Sequence, residues 1–238
     1  MGQNPSPLVV PPGYRQMNRW QRRIARAQEL ARASSAYPEL LKFYAGIARF
    51  QSAPPYKLES LMELIRQAAP GPMKASTQAP LTWDDLEPGT DPVHAFMARV
   101  LLQAETEDRA HSATTPAGVQ PQCPFCGEKP VAAVLRPEGD GGKRFLLCSL
   151  CFTEWEFRRL LCPNCGEEDK DKLPIYTAEE FPHVRVEACD TCHVYLKAID
   201  LTKNGLAVPE VDELAAPALD LWASEHGYTK LQANLFGL

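Results

Sequence analysis

The eight cysteines of this 238-residue chain all occur in Cys-x-x-Cys pairs, and this pattern constrains its fold more than any other feature. The pairs begin at Cys123, Cys148, Cys162 and Cys189. Two intervening residues allow a tight turn to bring both sulfurs onto one metal ion. The sequence does not open with the basic and apolar stretches of a secretory signal, so we expect a reducing compartment. In such a compartment, paired cysteines are typical of metal sites rather than of disulfides.

The four pairs form an internal repeat of two units. Within the units, 21 and 23 residues separate the two pairs, whereas only ten residues separate one unit from the next. A glycine, Gly127 or Gly166, follows the first pair of each unit and permits the backbone conformation that turns amides toward the thiolates. The repeat extends beyond the cysteines, since residues 151–157 align with residues 192–198. The two units are therefore expected to share one fold.

The segments between the pairs have the pattern of β-hairpins. In the first unit, residues 131–135 and 144–147 flank a Gly-Asp-Gly-Gly turn at 139–142, and residues 173–177 and 184–188 take the strand positions in the second. Two cysteine turns joined by a hairpin are typical of a zinc ribbon or rubredoxin, in which four sulfurs form a tetrahedron. Because a unit of ~40 residues can scarcely bury a core, the metal would supply much of its stability.

The predicted metal ligands are all eight cysteines, divided between two sites. These are Cys123, Cys126, Cys148 and Cys151 in the first site and Cys162, Cys165, Cys189 and Cys192 in the second. The alternative is an interleaved cross-brace, in which the first pair joins the third. Zinc and iron both accept four thiolates, so the predicted cofactors are two tetrahedral ions of iron or zinc. Thioredoxin-like chemistry is disfavoured because no βαβ pattern accompanies a pair.

Before the cysteines, apolar residues recur at spacings of three and four, which predicts helices. These helices are predicted to begin near Gly13, Pro38, Tyr56 and Asp91, the last with the aspartate as N-cap and proline at the first helical position. The arginines of the first helix are expected to form a solvated face. The apolar stripe of that helix comprises Met17, Trp20, Ile24, Ala27 and Ala31.

Composition divides the chain into two predicted domains. Residues 1–12 are proline-rich, and residues 111–122 have the polar, Pro- and Gly-containing composition of a linker. The predicted fold class is α+β. An α-helical domain at 13–110 precedes two tandem rubredoxin-like or zinc-ribbon units at 121–238, which end in a short C-terminal helix and tail.

Charge and motif content disfavour several functions. Residues 1–120 carry a net charge of +2 and residues 121–238 a net charge of −7, which argues against a nucleic-acid-binding surface on the cysteine half. No apolar run approaches the ~20 residues of a spanning helix, so no membrane insertion is expected. The sequence shows neither a Gly-rich phosphate loop nor a His-Glu-x-x-His motif, and no catalytic residue is predicted.

The cysteine motifs and their flanks resemble one known family. The resemblance lies in residues 123–131, 147–155, 158–166 and 187–200, and in the tail from Asp212 to the final Asn-Leu-Phe-Gly-Leu. These segments are similar to the formate dehydrogenase accessory protein family, FdhE. The match is close over 121–238, whereas residues 13–110 share with the family only a helical character.

The resemblance implies a cytoplasmic bacterial protein that is not an enzyme. Such proteins bind the catalytic subunit of respiratory formate dehydrogenase before export and are needed for its activity, and members have been described as holding rubredoxin-like iron. One alternative is a zinc-ribbon nucleic-acid-binding protein, which the acidic loops at 167–169 and 179–180 disfavour. Another is an electron carrier, which would not need a large helical domain. The oligomeric state is left open.

Trp155 follows the second cysteine pair of the first unit, and Tyr195 follows that of the second. The role of these two aromatic residues has two interpretations. Trp155 and Tyr195, with the residues just before them, are candidates for contact with the catalytic subunit. Alternatively, these rings pack between the ribbons.

Overall fold

The structure is a computed structural model that describes residues 13–33, 37–71, 73–74, 82, 86, 91–113, 119–139 and 141–238. The proline-rich start, most of the 70–90 connection and part of the predicted linker lie outside the described residues. Within them, the predicted α+β class is confirmed: helices come first, and two cysteine clusters and short C-terminal helices follow.

The described residues of the first part of the chain contain four α-helices; three begin within two residues of their predicted starts, and the first begins six residues after Gly13. They are α1 (Arg19–Ala33), α2 (Pro38–Gln51), α3 (Leu58–Ala68) and α4 (Pro92–His111). Proline occupies the first turn of α2 and of α4, where its missing N–H has no intrahelical partner to lose. The apolar faces of α2, α3 and α4 are buried against one another, and Phe43, Ile47, Leu61, Ile65 and Met97 lie at the centre of this core.

The predicted N-cap of α4 is confirmed. Asp91 Oδ1 accepts hydrogen bonds from the backbone N–H groups of Val93 at 2.7 Å and His94 at 3.4 Å. An N-cap aspartate satisfies amides that the first helical turn leaves unpaired.

Asp91→Ala should therefore lower the free energy of unfolding by about 1 kcal/mol. Urea unfolding followed by circular dichroism measures this, with Glu105→Ala on the exposed face of the same helix as the control, which is expected within about 0.5 kcal/mol of wild type. Equal stability of the two variants would contradict a capping role.

The second part of the chain is built on one sheet, which in the described residues has seven strands. They are β1 (Pro130–Glu138), β2 (Gly141–Cys148), β3 (Glu154–Glu156), β4 (Ile175–Thr177), β5 (Val184–Cys189), β6 (Val194–Asp200) and β7 (Thr229–Lys230). The strand order is β3-β2-β1-β6-β5-β4, and β7 pairs with β6. The antiparallel pairs β1–β2 and β4–β5 are the two predicted hairpins.

A parallel pairing that the sequence did not reveal joins the two ribbons. Strand β1 pairs with β6 in register from Ala132 opposite Lys197 to Leu135 opposite Asp200. The two units thus share one continuous sheet instead of forming two separate sheets. Strand β6 lies at its centre, between β1 and β5.

Two short helices, α5 (Pro209–Leu214) and α6 (Pro217–Glu225), follow the sheet where one was predicted. Helix α6 packs on β5, with Leu219 and Ala223 against Val184 and Val186. Helix α5 instead joins the helical core through Val208, Val211 and Leu214.

The C-terminal tail also enters the helical core. The Phe236 ring lies 5.6 Å from that of Phe96 on α4 and 5.9 Å from that of Phe43 on α2. Within the described residues, the largest apolar cluster therefore combines residues of the N-terminal helices with residues of the C-terminal tail. The division of the chain at 111–122 stays a prediction, but the two parts share buried surface.

The expected solvated arginine face on α1 is wrong for Arg23 and Arg26, which are buried. Both nitrogens of the Arg23 guanidinium end donate to the Glu107 carboxylate at 2.7 Å, and its Nε donates to Glu210 of α5. Because acidic partners from distant segments neutralise its charge, the Arg23 side chain can be buried on the inner face of α1 instead of lying in water. Although burial lowers it, attraction to Glu210 and Glu107 holds the pKa of Arg23 above its ordinary value.

Arg26 joins α1 to α5 in the same way. Its Nε donates to Asp212 at 3.0 Å, and Asp212 also accepts the backbone N–H of Val208 at 2.7 Å. His183 Nε2 lies 2.7 Å from the same carboxylate. Burial raises the pKa of Asp212, but the hydrogen bonds from His183 and Arg26 together hold it below its ordinary value.

Lys197, at the centre of β6, anchors a second buried ionic network. Its ammonium group donates to the Glu213 carbonyl oxygen and to Asp220 Oδ2, both at 2.6 Å. Lys230 of β7 approaches Asp220 Oδ1 at 3.0 Å and donates to the carbonyl of Leu238 at 2.9 Å. This network connects the central strand to α5, α6 and the chain terminus.

Candidate metal centres

The first cluster comprises the two pairs of the first unit. The Sγ atoms of Cys126 and Cys148 are 3.3 Å apart, and that of Cys151 lies 3.6 Å from those of Cys123 and Cys126. All four sulfurs lie within 4.8 Å of one another. A tetrahedron of sulfurs at ~2.3 Å from a metal has edges of about 3.8 Å, so this cluster fits one tetrahedral ion.

Local backbone turns build the first cluster. The N–H of Gly127 donates to the Cys123 carbonyl at 2.9 Å, with Gly127 in the left-handed conformation at φ 80°. In the second turn, the N–H groups of Leu150 and Cys151 point at Cys148 Sγ from 3.3 and 3.4 Å. Amides directed at sulfur favour the thiolate, which is the form that binds metal.

The second cluster repeats this arrangement. Cys162 and Cys192 are 3.7 Å apart at Sγ, as are Cys165 and Cys189, and the four sulfurs again lie within 4.8 Å. Gly166 has φ 79°, matching Gly127 of the first unit. The spacing again fits one tetrahedral ion.

The repeat extends to the residue after each second pair. Phe152 and His193 both adopt positive φ, 52° and 54°, which side chains other than glycine rarely adopt. In each unit the chain leaves the cluster through this strained residue and enters a strand, β3 or β6. The sequence alignment of 151–157 with 192–198 therefore corresponds to a structural repeat.

The structure groups the cysteines by unit and does not interleave the pairs. All eight are free thiols, so no disulfide competes with this arrangement. The sulfur spacing fits a closed four-thiolate site in each unit. That the eight cysteines bind metal stays a prediction, and sulfur geometry accepts either zinc or iron.

Crowding separates the pKa values of the first four thiols. Hydrogen bonding from Cys126, Cys148 and Cys151 lowers the pKa of Cys123, whereas bonding with Cys123 and Cys126 raises the pKa of Cys148. Four sulfurs this close cannot all ionise without a compensating cation. A bound divalent ion would supply that charge.

The two clusters differ in exposure. Cys148 is 0% exposed and Cys151 is also buried, whereas Cys165 in the second cluster is exposed. The first cluster packs beneath α4, where Arg99 and Gln103 donate to the carbonyl of Ser149 at 3.2 and 3.4 Å. The first site is therefore part of the interface between helices and sheet, and the second faces solvent.

Trp155 and Tyr195 are both buried, which favours their packing role over direct contact with a partner. Trp155 Nε1 donates to the Gln120 carbonyl at 2.8 Å. The Tyr195 hydroxyl donates to Asp220 Oδ1, also at 2.8 Å. Each ring thus has its polar atom satisfied inside the fold.

Sequence reasoning missed the contact between the first cluster and α1. The Arg23 guanidinium carbon lies 4.6 Å from the Phe152 ring centre and 4.8 Å from that of Trp20. A signal existed, since Arg23 follows Trp20 by three residues and precedes Ala27 by four, which places it on the apolar stripe.

Two four-cysteine clusters on one sheet, backed by a helical layer, place this chain among proteins with tandem metal-ribbon units. Residues 122–159 match the FdhE central domain, and residues 160–236 match the FdhE C-terminal domain. This part of the chain, residues 122–236, is therefore similar to both of these FdhE domains.

Curated relatives and a solved structure are also similar to this chain. A protein FdhE homolog from Aquifex aeolicus is 42% identical over 116 residues, which cover 48% of this chain and 41% of that protein. One from Edwardsiella ictaluri is 30% identical over 203 residues, covering 80% of this chain and 62% of the relative. The chain thus spans less than two thirds of the length of these curated relatives.

The crystal structure of the FdhE protein from Pseudomonas aeruginosa has the same fold, with a TM-score of 0.74 at 23% identity. The alignment covers 93% of this chain and 97% of the crystallised one. Within the described residues, no helix combines the length and the apolar character that a membrane span requires.

Proposed function

We propose that this protein is a cytoplasmic accessory factor that binds the catalytic subunit of formate dehydrogenase and is needed to assemble the active enzyme. One observation carries the proposal: residues 122–236 contain both the central and the C-terminal FdhE domain. The same residues contain both four-cysteine clusters.

We infer that the protein acts by binding and not by catalysis. Each cluster groups four sulfurs that would all bind one ion, whereas a catalytic zinc site has three protein ligands and keeps one position open for water or substrate. The eight cysteines would hold two ions of iron or zinc, and the ions would cross-link the turns of each ribbon. The chain's own residues would then present a stable surface to the client.

A bacterial strain that lacks its own FdhE protein tests the proposal. The wild-type chain should restore formate oxidation and should capture the catalytic subunit from an in vitro synthesis of that subunit alone. The purified chain should show no formate oxidation with an artificial electron acceptor. An unrelated metalloenzyme subunit of similar size, synthesised in the same way, serves as the control that the chain should not capture.

Absence of both capture and restored formate oxidation would contradict the maturation role. Salt-sensitive retention of the chain on RNA or DNA would instead support the nucleic-acid-binding alternative.

A further inference from the structure

An apolar groove of about 890 Å³ runs between the helical layer and the outer strands of the second ribbon. Helices α1 and α2 form one wall, β4 and β5 form the floor, and α6 forms the other wall. Its apolar lining includes Leu30, Leu41, Val184, Val186, Leu219 and Trp222. A concave site of this volume, lined by apolar and aromatic side chains with few polar groups, is typical of binding sites.

The floor of the groove ends at an open sheet edge. Strand β4 stands last in the strand order, and the N–H of Ala188 donates to the Pro174 carbonyl at 3.0 Å. Along each strand of an antiparallel pair, every second residue directs its backbone polar groups at the partner strand. The backbone groups of residues 174 and 176 therefore point toward β5, whereas those of Ile175 and Thr177 point outward from the sheet edge. Among the described residues, none bonds to the outward backbone groups of Ile175 and Thr177.

Apolar side chains flank this edge on both faces of the sheet. Tyr176 lies in the groove with its ring 4.6 Å from that of Trp222. On the opposite face, Ile175 is 53% exposed and lines a shallow hollow with Leu160, which is 51% exposed. Proteins usually cover or charge such an edge, because it invites pairing with another strand.

Negative charge lies at one end of the same edge. Glu179 and Glu180 lie two and three residues after the end of β4, both are exposed, and Glu180 lines the groove. No ion pair within the described residues includes either carboxylate. Asp212, the other acidic residue of the groove, is already paired with Arg26 and His183. A cationic side chain from a partner would therefore complement the negative charge at this end of the sheet edge.

We propose that the groove and the β4 edge together bind an extended segment of the partner polypeptide, which adds as a strand to β4. The segment would place alternate apolar side chains in the groove and over Ile175, with a Lys or Arg beside Glu179 and Glu180. The partner is the catalytic subunit, so this identification of the occupant rests on the proposed function.

Overlapping synthetic peptides that cover the catalytic subunit sequence are the probe, measured by fluorescence anisotropy on the metal-loaded full chain. Thr177→Pro removes the outward N–H while leaving the bonds to β5, since proline is tolerated where an edge N–H faces solvent. Thr177→Val is its matched control and keeps the N–H. Peptides rich in Val, Ile and Leu with a Lys or Arg should bind wild type and Thr177→Val, with Kd raised about 30-fold in Thr177→Pro.

Two further variants keep the test independent of how well Thr177→Pro folds. Trp222→Ala should weaken the same peptides by a similar factor, whereas Leu221→Ala, exposed on α6 and outside the groove lining, should not. Glu180→Lys should weaken basic peptides more than versions with Lys or Arg replaced by Gln. Equal affinity of all variants for the peptides would overturn the proposal. The proposal would also be overturned if wild type bound no peptide and formed a dimer that Thr177→Pro converts to a monomer.

The outcomes separate this inference from the proposed function. Capture of the full catalytic subunit by wild type and by Thr177→Pro and Trp222→Ala alike would overturn the groove proposal and leave the maturation role intact. Binding of apolar basic peptides with the predicted variant pattern, without capture of the subunit and without restored formate oxidation, would support the groove and overturn the maturation role.

Discussion

Cys148→Ser is expected to remove one metal ion per chain and to unfold the first ribbon. Serine is a poor ligand for the soft site, and a structural zinc ion in a small domain contributes on the order of 10 kcal/mol to folding. Metal content should fall from about two ions to about one per chain. Elemental analysis of the purified chain measures the metal, and thermal unfolding by circular dichroism measures the stability.

Cys165→Ser is the matched control, because it makes the same chemical change at the other cluster. Cys165 is exposed, whereas Cys148 is fully buried in the cluster that packs beneath α4. Both variants should lose one ion, but Cys148→Ser should lower the unfolding temperature and the yield of soluble protein more. Two retained ions in Cys148→Ser, or a larger loss in Cys165→Ser, would contradict this account of the sites.

The helical signal of Cys148→Ser bears on the predicted division of the chain. Helices α1 to α4 keep their own apolar stripes and the contact with the partly buried Phe236 of the tail, so much of the signal should persist at low temperature. It should melt earlier than in wild type, because the carbonyl of Ser149 no longer accepts the hydrogen bonds of Arg99 and Gln103. A helical signal that melts unchanged would show that the helical part is stable without the first ribbon.

Local patterns in the sequence were sufficient to predict helices α1 to α4, the hairpins β1–β2 and β4–β5, and the grouping of the cysteines into two clusters. Two intervening residues and a glycine at 127 or 166 define a turn regardless of the rest of the fold. The N-cap at Asp91 and the helix that begins after it are likewise local, and both are confirmed.

Features that depend on contacts between distant segments could not be predicted in this way. The β1–β6 pairing brings Ala132 beside Lys197, and no periodicity indicates which strand a parallel neighbour will choose. The insertion of Phe236 among α2 and α4 has the same origin. A buried arginine also looks like a solvated one until its acidic partners are known, and those of Arg23 lie at positions 107 and 210.

Arg23→Met is therefore expected to destabilise the protein by about 3–5 kcal/mol, because it leaves buried carboxylates without their cation. Glu107 would lose both of its 2.7 Å hydrogen bonds from Arg23, and the rings of Trp20 and Phe152 would lose the guanidinium between them. Urea unfolding of the metal-loaded chain, followed by circular dichroism, measures the change. Arg22→Met is the matched control, since Arg22 is exposed and should change stability by no more than about 0.5 kcal/mol.

A double variant separates the unpaired charge from the lost packing. Arg23→Met with Glu107→Leu removes both members of the closest pair, so it should be more stable than the sum of the single changes predicts. Arg19, which also approaches Glu107 at 3.1 Å, would then keep its bond to Asp108. If Arg23→Met costs no more than Arg22→Met, the ion pair under α1 does not hold the helical layer to the first cluster. If the double variant shows strict additivity, the cost of Arg23→Met comes from lost packing and not from an uncompensated carboxylate.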